Sequence, residues 1–284
     1  MNPDPYPRAV WRLVHSPPLD GPLNMAVDEA ILQAVAAGQA PPTLRLFAWS
    51  PPCLSLGYAQ PLADVDRARL GARGWDLVRR PTGGRAILHT DELTYSVIAP
   101  MDEPRVVGGV IESYRQLSVG LLRGLEQLGL AVRADKKRGD AGPRSPAQAA
   151  EPLPVCFEVP SDYEITADGK KLLGSAQVRK QGVVLQHGTL PLTGDIARIC
   201  EALQFESEAE RARVAGRVRA RAATAEAILG AAVSWEQAAA ALQAGFAAAL
   251  NLEWEQSELT DAEKERARAL RAEKYAAEAW NGRI

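Results

Sequence analysis

The stretch TADGKKLLGSAQVRKQGVVLQHGTLPL, residues 166–192, decides the fold class. Asp168-Gly169 is a two-residue hairpin signal, because a primed turn needs φ > 0 at both positions and these residues tolerate it. Gln181-Gly182 separates the next two runs. Three strands from Asp162 to Leu192 therefore read as a meander. Side chains alternate across a strand, so Lys171, Leu173, Ser175 and Gln177 are expected on one side, with Leu172, Gly174, Ala176 and Val178 on the other. Upstream, TLRLFAW (43–49), CLSLGY (53–58), WDLVRR (75–80), RAILH (85–89) and LTYSVIA (93–99) are short strand-like runs punctuated by Pro, Gly and Asp. A helix capped by Asp20 or Asn24 and stopped at Gly38 precedes them. Another spans 109–129, where Ile111, Tyr114, Leu117, Leu121, Leu125 and Leu128 recur at three and four. From Asp195 the chain reads as helical, with Ser234/Gln237 and Thr260/Glu263 spaced as capping boxes. The order helix, strands, helix, strands, helices is α+β, with mixed or antiparallel β-sheets flanked by helices.

Composition narrows the function. The 284 residues carry 33 Lys and Arg against 35 Asp and Glu, a formal charge of -2, so no global field favours nucleic acid or anionic lipid. The three cysteines, Cys53, Cys156 and Cys200, form no C-x-x-C pair, which argues against a disulfide framework and a thiolate metal site and for a cytoplasmic location. No segment reads as a signal peptide or membrane span. The motifs of P-loop, Rossmann, zincin and α/β-hydrolase proteins are absent.

Three polar clusters remain. In RRPTGGRAILH (79–89), two glycines let backbone approach a ligand, arginines flank them, and Arg85, Ile87 and His89 share one strand face. The same composition also suits a turn with solvated arginines. In GKKLLGSAQ (169–177), Lys171 on spacing alone is an exposed edge-strand charge. In VCFEVPS (155–161), Cys156 stands where the charged, Gly/Pro-rich stretch 135–152 ends, and that stretch has the composition of a long mobile loop. A nearby ammonium would favour its thiolate, whereas Cys53 and Cys200 sit among apolar neighbours as packing residues. His89 and His187 each lie in a strand beside glycines.

Together, RRPTGGRAILH, DELTYSV, GKKLLGSAQVRKQGVVLQHGTL and the C-terminal KYAAEAWN resemble the biotin/lipoate protein ligase and lipoyl transferase superfamily across roughly residues 20–280. VCFEVPSDYEI is similar to the cysteine segment of octanoyltransferases of the LipM type. The resemblance implies a biotin/lipoate ligase-like catalytic domain over 1–250 and a C-terminal helical extension, 251–284, packed on it. It implies octanoyl transfer from acyl carrier protein to a lysine of a lipoyl domain, of the glycine cleavage H protein or 2-oxoacid dehydrogenase E2 type, with no cofactor and no metal. By the same resemblance Cys156 is the acyl-accepting nucleophile and Lys171 its activating cation. Arg79, Gly83, Gly84, Arg85 and His89 line the acyl pocket, Ser175 and Ala176 form its opposite wall, and His187 is an accessory group. Leu172, Leu173, Val183, Val184 and the Ile87–Leu88 strand are expected to supply the apolar slot. Two related activities stay open: amidotransfer between lipoyl domains, and ATP-dependent lipoate ligation.

Overall fold

The computed structural model describes residues 5–135 and 164–284. Its main sheet has eight strands in the order β11-β1-β2-β6-β10-β9-β8-β7. These are β1 (Ala9–His15), β2 (Thr43–Phe47), β6 (Glu92–Pro100), β7 (Val132–Asp135), β8 (Glu164–Ala167), β9 (Lys170–Lys180), β10 (Val183–Pro191) and β11 (Leu252–Gln256). A second sheet, order β4-β3-β5, comprises β3 (Cys53–Leu56), β4 (Asp76–Arg79) and β5 (Ile87–His89). β1 runs parallel to both β11 and β2, whereas β2, β6, β10, β9, β8 and β7 pair antiparallel in turn. The α+β expectation with a mixed sheet holds.

Both turns of the deciding stretch are as expected: Asp168 and Gly169 have φ of 49° and 73°, and Gln181 and Gly182 of 54° and 74°. The alternation along β9 is not regular. A bulge sets Ile165 opposite Leu173 but Thr166 opposite Lys171, so one extra residue of β9 sits between them. The bulge reverses the side taken by Lys171 relative to Ser175, and Leu172 and Leu173 both enter the core.

Period two divides the sheet's faces. Leu93, Tyr95 and Val97 of β6 pack towards α3 (Val110–Gln127) and α6 (Trp235–Leu250), with Leu121, Leu125, Leu242 and Phe246 in the same core. Close crossing of those helices rests on glycine: a Cβ on Gly245 would stand 2.2 Å from the Gly124 backbone nitrogen. On the other face, Ile98, Val183 and Leu185 meet Met25, Ile31 and Val35 of α1 (Gly21–Ala36) and Leu270 of α7 (Asp261–Leu270). Each large apolar side chain so buried contributes about 1.5–3 kcal/mol. Asp20 caps α1 through the Leu23 N–H at 2.7 Å, and Asn24 is buried instead, donating to the Leu19 and Ala48 carbonyls. Both capping boxes, at Ser234 and Thr260, form.

The C-terminal stretch departs from the helical expectation. It begins with β11 at the sheet edge, and Glu263 of α7 takes a two-pronged hydrogen bond from buried Arg12 of β1 at 2.9 and 2.6 Å. No helix among the described residues is long and apolar enough to cross a membrane.

Candidate active site

A cavity of about 860 Å³ opens between the two sheets and α1. Its walls come from the Gly83–Gly84 turn, β5, β9, β10 and the segment after α7, so distant parts of the chain converge on it. Of the expected residues, Gly83, Gly84, Arg85, His89, Lys171, Ser175, Ala176 and His187 border this cavity. Arg79 does not. Its side chain is fully buried and donates to the carbonyls of Gly57, Gln60 and Asn281 at 2.9, 2.6 and 2.8 Å. It locks the C-terminus to β4, an arrangement completed by the Trp280 indole N–H on the Arg79 carbonyl at 2.8 Å. Cys156 lies outside the described residues.

Arg80, the neighbour that sequence reasoning passed over, shapes the glycine turn. One guanidinium nitrogen donates to the Ser55 carbonyl at 3.0 Å, and the other to the carbonyls of Gly83 and Arg85, both at 2.8 Å. Gly57 packs under the turn so closely that a Cβ there would lie 1.9 Å from the Gly84 oxygen. Gly84 itself adopts φ 94°, a conformation that a side chain would strain.

The histidines are held at both ring nitrogens. His89 Nδ1 lies 2.6 Å from Glu92 Oε1 and Nε2 2.8 Å from Ser55 Oγ, with the ring stacked on Trp49 at 3.9 Å. His187 Nδ1 is 3.5 Å from Asp28 Oδ2 and Nε2 is 2.7 Å from Thr82 Oγ1. Burial pushes the His187 pKa down, with Asp28 opposing, so the ring is neutral at pH 7. An Asp28 carboxylate only accepts, which puts the proton on Nδ1 and makes Thr82 the donor to Nε2. His187 thereby positions the turn that carries Gly83 and Gly84.

Lys171, expected on spacing to be exposed, is 4% exposed and donates to Glu164 Oε1 at 2.7 Å. The bulge aims it into the cavity beside Gly174 and Ala176. Ser175 turns its hydroxyl the other way, 2.7 Å from the Tyr95 hydroxyl in the core against Phe246. The apolar lining also differs from expectation. Leu172, Leu173 and Val184 pack in the α3–α6 core, Val183 against α1, and Leu88 against the small sheet. Ile87 does face the cavity, and Met25, Trp49, Ala176 and Val178 supply the rest of its apolar wall.

Adjacent carboxylates in the apolar helix GPLNMAVDEAILQAVA were a usable signal for buried partners. Asp28 pairs with Arg45 at 2.8 Å, both fully buried. Glu29 accepts from Lys180, Lys274 and the Tyr275 hydroxyl at 2.8, 2.5 and 2.5 Å. Burial alone would raise the Glu29 pKa, but these donors outweigh it and pull it down to about 2. A depressed carboxyl stabilises the fold above its unfolded pKa of ~4.3, and the contribution is lost as pH falls through about 2. We expect wild type to exceed Glu29→Gln by about 3 kcal/mol at pH 6, with the gap closing between pH 4.5 and 2. Urea melts at stepped pH measure this, and a gap that stays constant across that window would refute the assignment.

Among the described residues no group of three His, Cys, Asp or Glu side chains is placed to hold a metal ion. The cavity can offer an apolar wall, donors around a glycine turn and a buried ammonium, which suits a polarised carbonyl at the end of an aliphatic chain.

Residues 20–247 match the lipoyl protein ligase A/B catalytic domain family. The chain is 45% identical to the octanoyltransferase LipM of Kyrpidia tusciae, over 96% of this chain and 98% of that one. It is 43% identical to the octanoyltransferase LipM of Symbiobacterium thermophilum, with the same coverage. A solved bi-partite lipoate protein ligase of Thermoplasma acidophilum, described with its E2 lipoyl domain, superposes with a TM-score of 0.80 at 25% identity, covering 98% of each chain. The chain thus belongs to the lipoyl protein ligase A/B catalytic domain family and, within it, is an acyltransferase of the LipM octanoyltransferase group.

Proposed function

We propose that this enzyme transfers octanoyl from octanoyl-acyl carrier protein to a lysine of a lipoyl domain, of the glycine cleavage H protein or E2 type, through a thioester on Cys156. The observation that carries this reading is the cavity lining, where buried Lys171, the Arg80-held Gly83–Gly84 turn and an apolar wall border the same space. Octanoyltransferase relatives matching nearly the whole chain support it. Glu164, which accepts from Lys171, stands eight residues after Cys156, a tether of at most about 29 Å that leaves the ammonium within the sulfur's reach.

The Cys156 thiolate attacks the donor's carbonyl carbon, forming a C–S bond, and the oxyanion is held by Lys171 and backbone N–H groups near Gly83 and Gly84. The bond to the carrier's sulfur then breaks, and that thiolate takes the proton that Cys156 gave up. Next the acceptor lysine's amine attacks the acyl-Cys156 carbonyl, a C–N bond forms, and Cys156 leaves and takes the amine's proton. One thioester replaces another in the first half, so no nucleotide is needed. The cavity's size, within the ~300–1,000 Å³ span of small-molecule sites, admits an eight-carbon chain.

Incubated with octanoyl-acyl carrier protein and no ATP, the wild-type chain is expected to gain one octanoyl mass on the peptide containing Cys156. An unmodified peptide would sink the proposal. Pyrophosphate release with free lipoate and ATP would favour the ligase activity, and an octanoyl-lipoyl domain that loads Cys156 faster than the carrier would favour amidotransfer.

A further inference from the structure

Among the described residues the cavity lining contains no aspartate or glutamate, whereas Arg80, Arg85, Lys171, Arg179, Lys180 and Lys274 all border it. An uncharged octanoyl chain gives no reason for that imbalance. Some of this charge is already engaged, since Lys180 and Lys274 share Glu29 and Lys171 holds Glu164. Arg85 has no carboxylate partner among the described residues. Arg283 likewise has none there, and its guanidinium carbon lies over the Tyr58 and Trp280 rings, 4.0 and 4.8 Å from their centres. Tyr58 and Trp280 border the cavity, and Tyr58 is 41% exposed, so this stack marks the cavity's mouth. The Tyr58 N–H on the Thr82 carbonyl at 2.8 Å ties the mouth to the glycine turn that precedes Arg85. Lys274 completes the group, its ammonium 4.2 Å from the Trp280 ring centre.

We propose that Arg85, Lys274 and Arg283 form an anion site at the mouth that takes the phosphodiester of the donor's phosphopantetheine arm. The inference rests on the carrier-thioester reading of the preceding section and names the part of that donor the protein recognises. Guanidinium suits a phosphodiester because it presents paired N–H donors in one plane, and stacking on two aromatic faces holds it in place before the ligand arrives. The arm is common to every carrier, so reading it selects the donor class without reading the carrier's own surface. A phosphate at the mouth leaves the thioester end of the same arm to run inward along the wall formed by Ile87, Ala176 and Val178.

The test compares loading of Cys156 by octanoyl-phosphopantetheine and by octanoyl-pantetheine, which lacks the phosphate, in wild type, Arg283→Gln and Arg85→Gln. Wild type should prefer the phosphorylated donor by about ten- to a hundredfold in kcat/KM, the range of charge-assisted hydrogen bonds. In each variant that ratio should fall towards one, mainly through KM. Equal loading by the two donors in wild type overturns the anion site while the acyl-enzyme stands. A preference that survives in both variants also overturns it. Loading by neither donor overturns the acyl-enzyme reading, and this inference with it. Octanoate activated with ATP, with pyrophosphate released, would assign the cations to a nucleotide and overturn the proposal as well.

Discussion

Cys156→Ala is expected to lower octanoyl transfer by roughly 10⁴-fold or more, the scale on which removing a covalent nucleophile acts, and to abolish the octanoyl mass on its peptide. Alanine keeps the small apolar bulk of cysteine and removes only the sulfur, so a folded but inactive variant isolates the chemistry. A ligase acting through an acyl-adenylate would be indifferent to the change. The companion measurement is the pH dependence of Cys156 alkylation. A thiol next to Lys171 should react with a midpoint below the ~8.5 of a free cysteine. Lys171→Met, which keeps most of the side chain's apolar length, should move that midpoint up. If the midpoint is ordinary in wild type, or unmoved in Lys171→Met, Lys171 is not the activating cation. If Cys156→Ala transfers octanoyl at an undiminished rate, the thioester mechanism is excluded.

How far the sequence reveals these features depends on whether their cause is local. The Asp168-Gly169 and Gln181-Gly182 turns, both capping boxes and the α3 stripe were legible because each is fixed by residues a few positions apart. β1 and β11 were not. They pair in parallel across more than two hundred residues, Ala9 with Leu252 and Leu13 with Gln256, and no turn announces such a contact. The same distinction runs through the site. Gly83, Gly84, Arg85 and His89 stand together in sequence and reach the cavity as a group. Lys171 and Ser175 were assigned to one face by period two, and the bulge opposite Ile165 and Thr166 separates them. That bulge is a property of the β8–β9 pair, invisible in either strand alone. Arg79 and Arg80 show the limit for composition: adjacent and chemically identical, one holds the C-terminus and the other the glycine turn. Lys274 and Trp280 join the cavity only because α7 folds back across α1.

Asp28→Ala should cost about 3–5 kcal/mol of stability, since it strands the Arg45 guanidinium in a site with no access to water. Asp28 spans the α1–sheet interface: it takes Arg45 at 2.8 Å and the Ser96 hydroxyl at 2.7 Å, and it faces His187. Burial alone would raise its pKa, but Arg45, then His187 and Ser96, draw it below the ordinary carboxylate value. It therefore remains ionised well into the acid range, and removing it leaves a charge without its counter-ion. Arg45 keeps Ser16 and Asn24 as acceptors, neither of which carries charge. With typical domain stability at ~5–15 kcal/mol, the loss is a large share of the whole. The urea midpoint should drop with the slope unchanged. Because the cost lies in the stranded cation, Asp28→Ala with Arg45→Met should recover at least about half of it, methionine filling the arginine's place against Phe47. A single-variant loss under about 1 kcal/mol, or a double variant no more stable than the single, would show that the pair does not carry this interface. Transfer should respond separately. Without Asp28 nothing holds the His187 proton on Nδ1, Thr82 loses a defined acceptor, and the turn presenting Gly83 and Gly84 to the acyl carbonyl is no longer set. The double variant should therefore regain stability without regaining transfer, which separates the buried pair's contribution to the fold from Asp28's hold on the site.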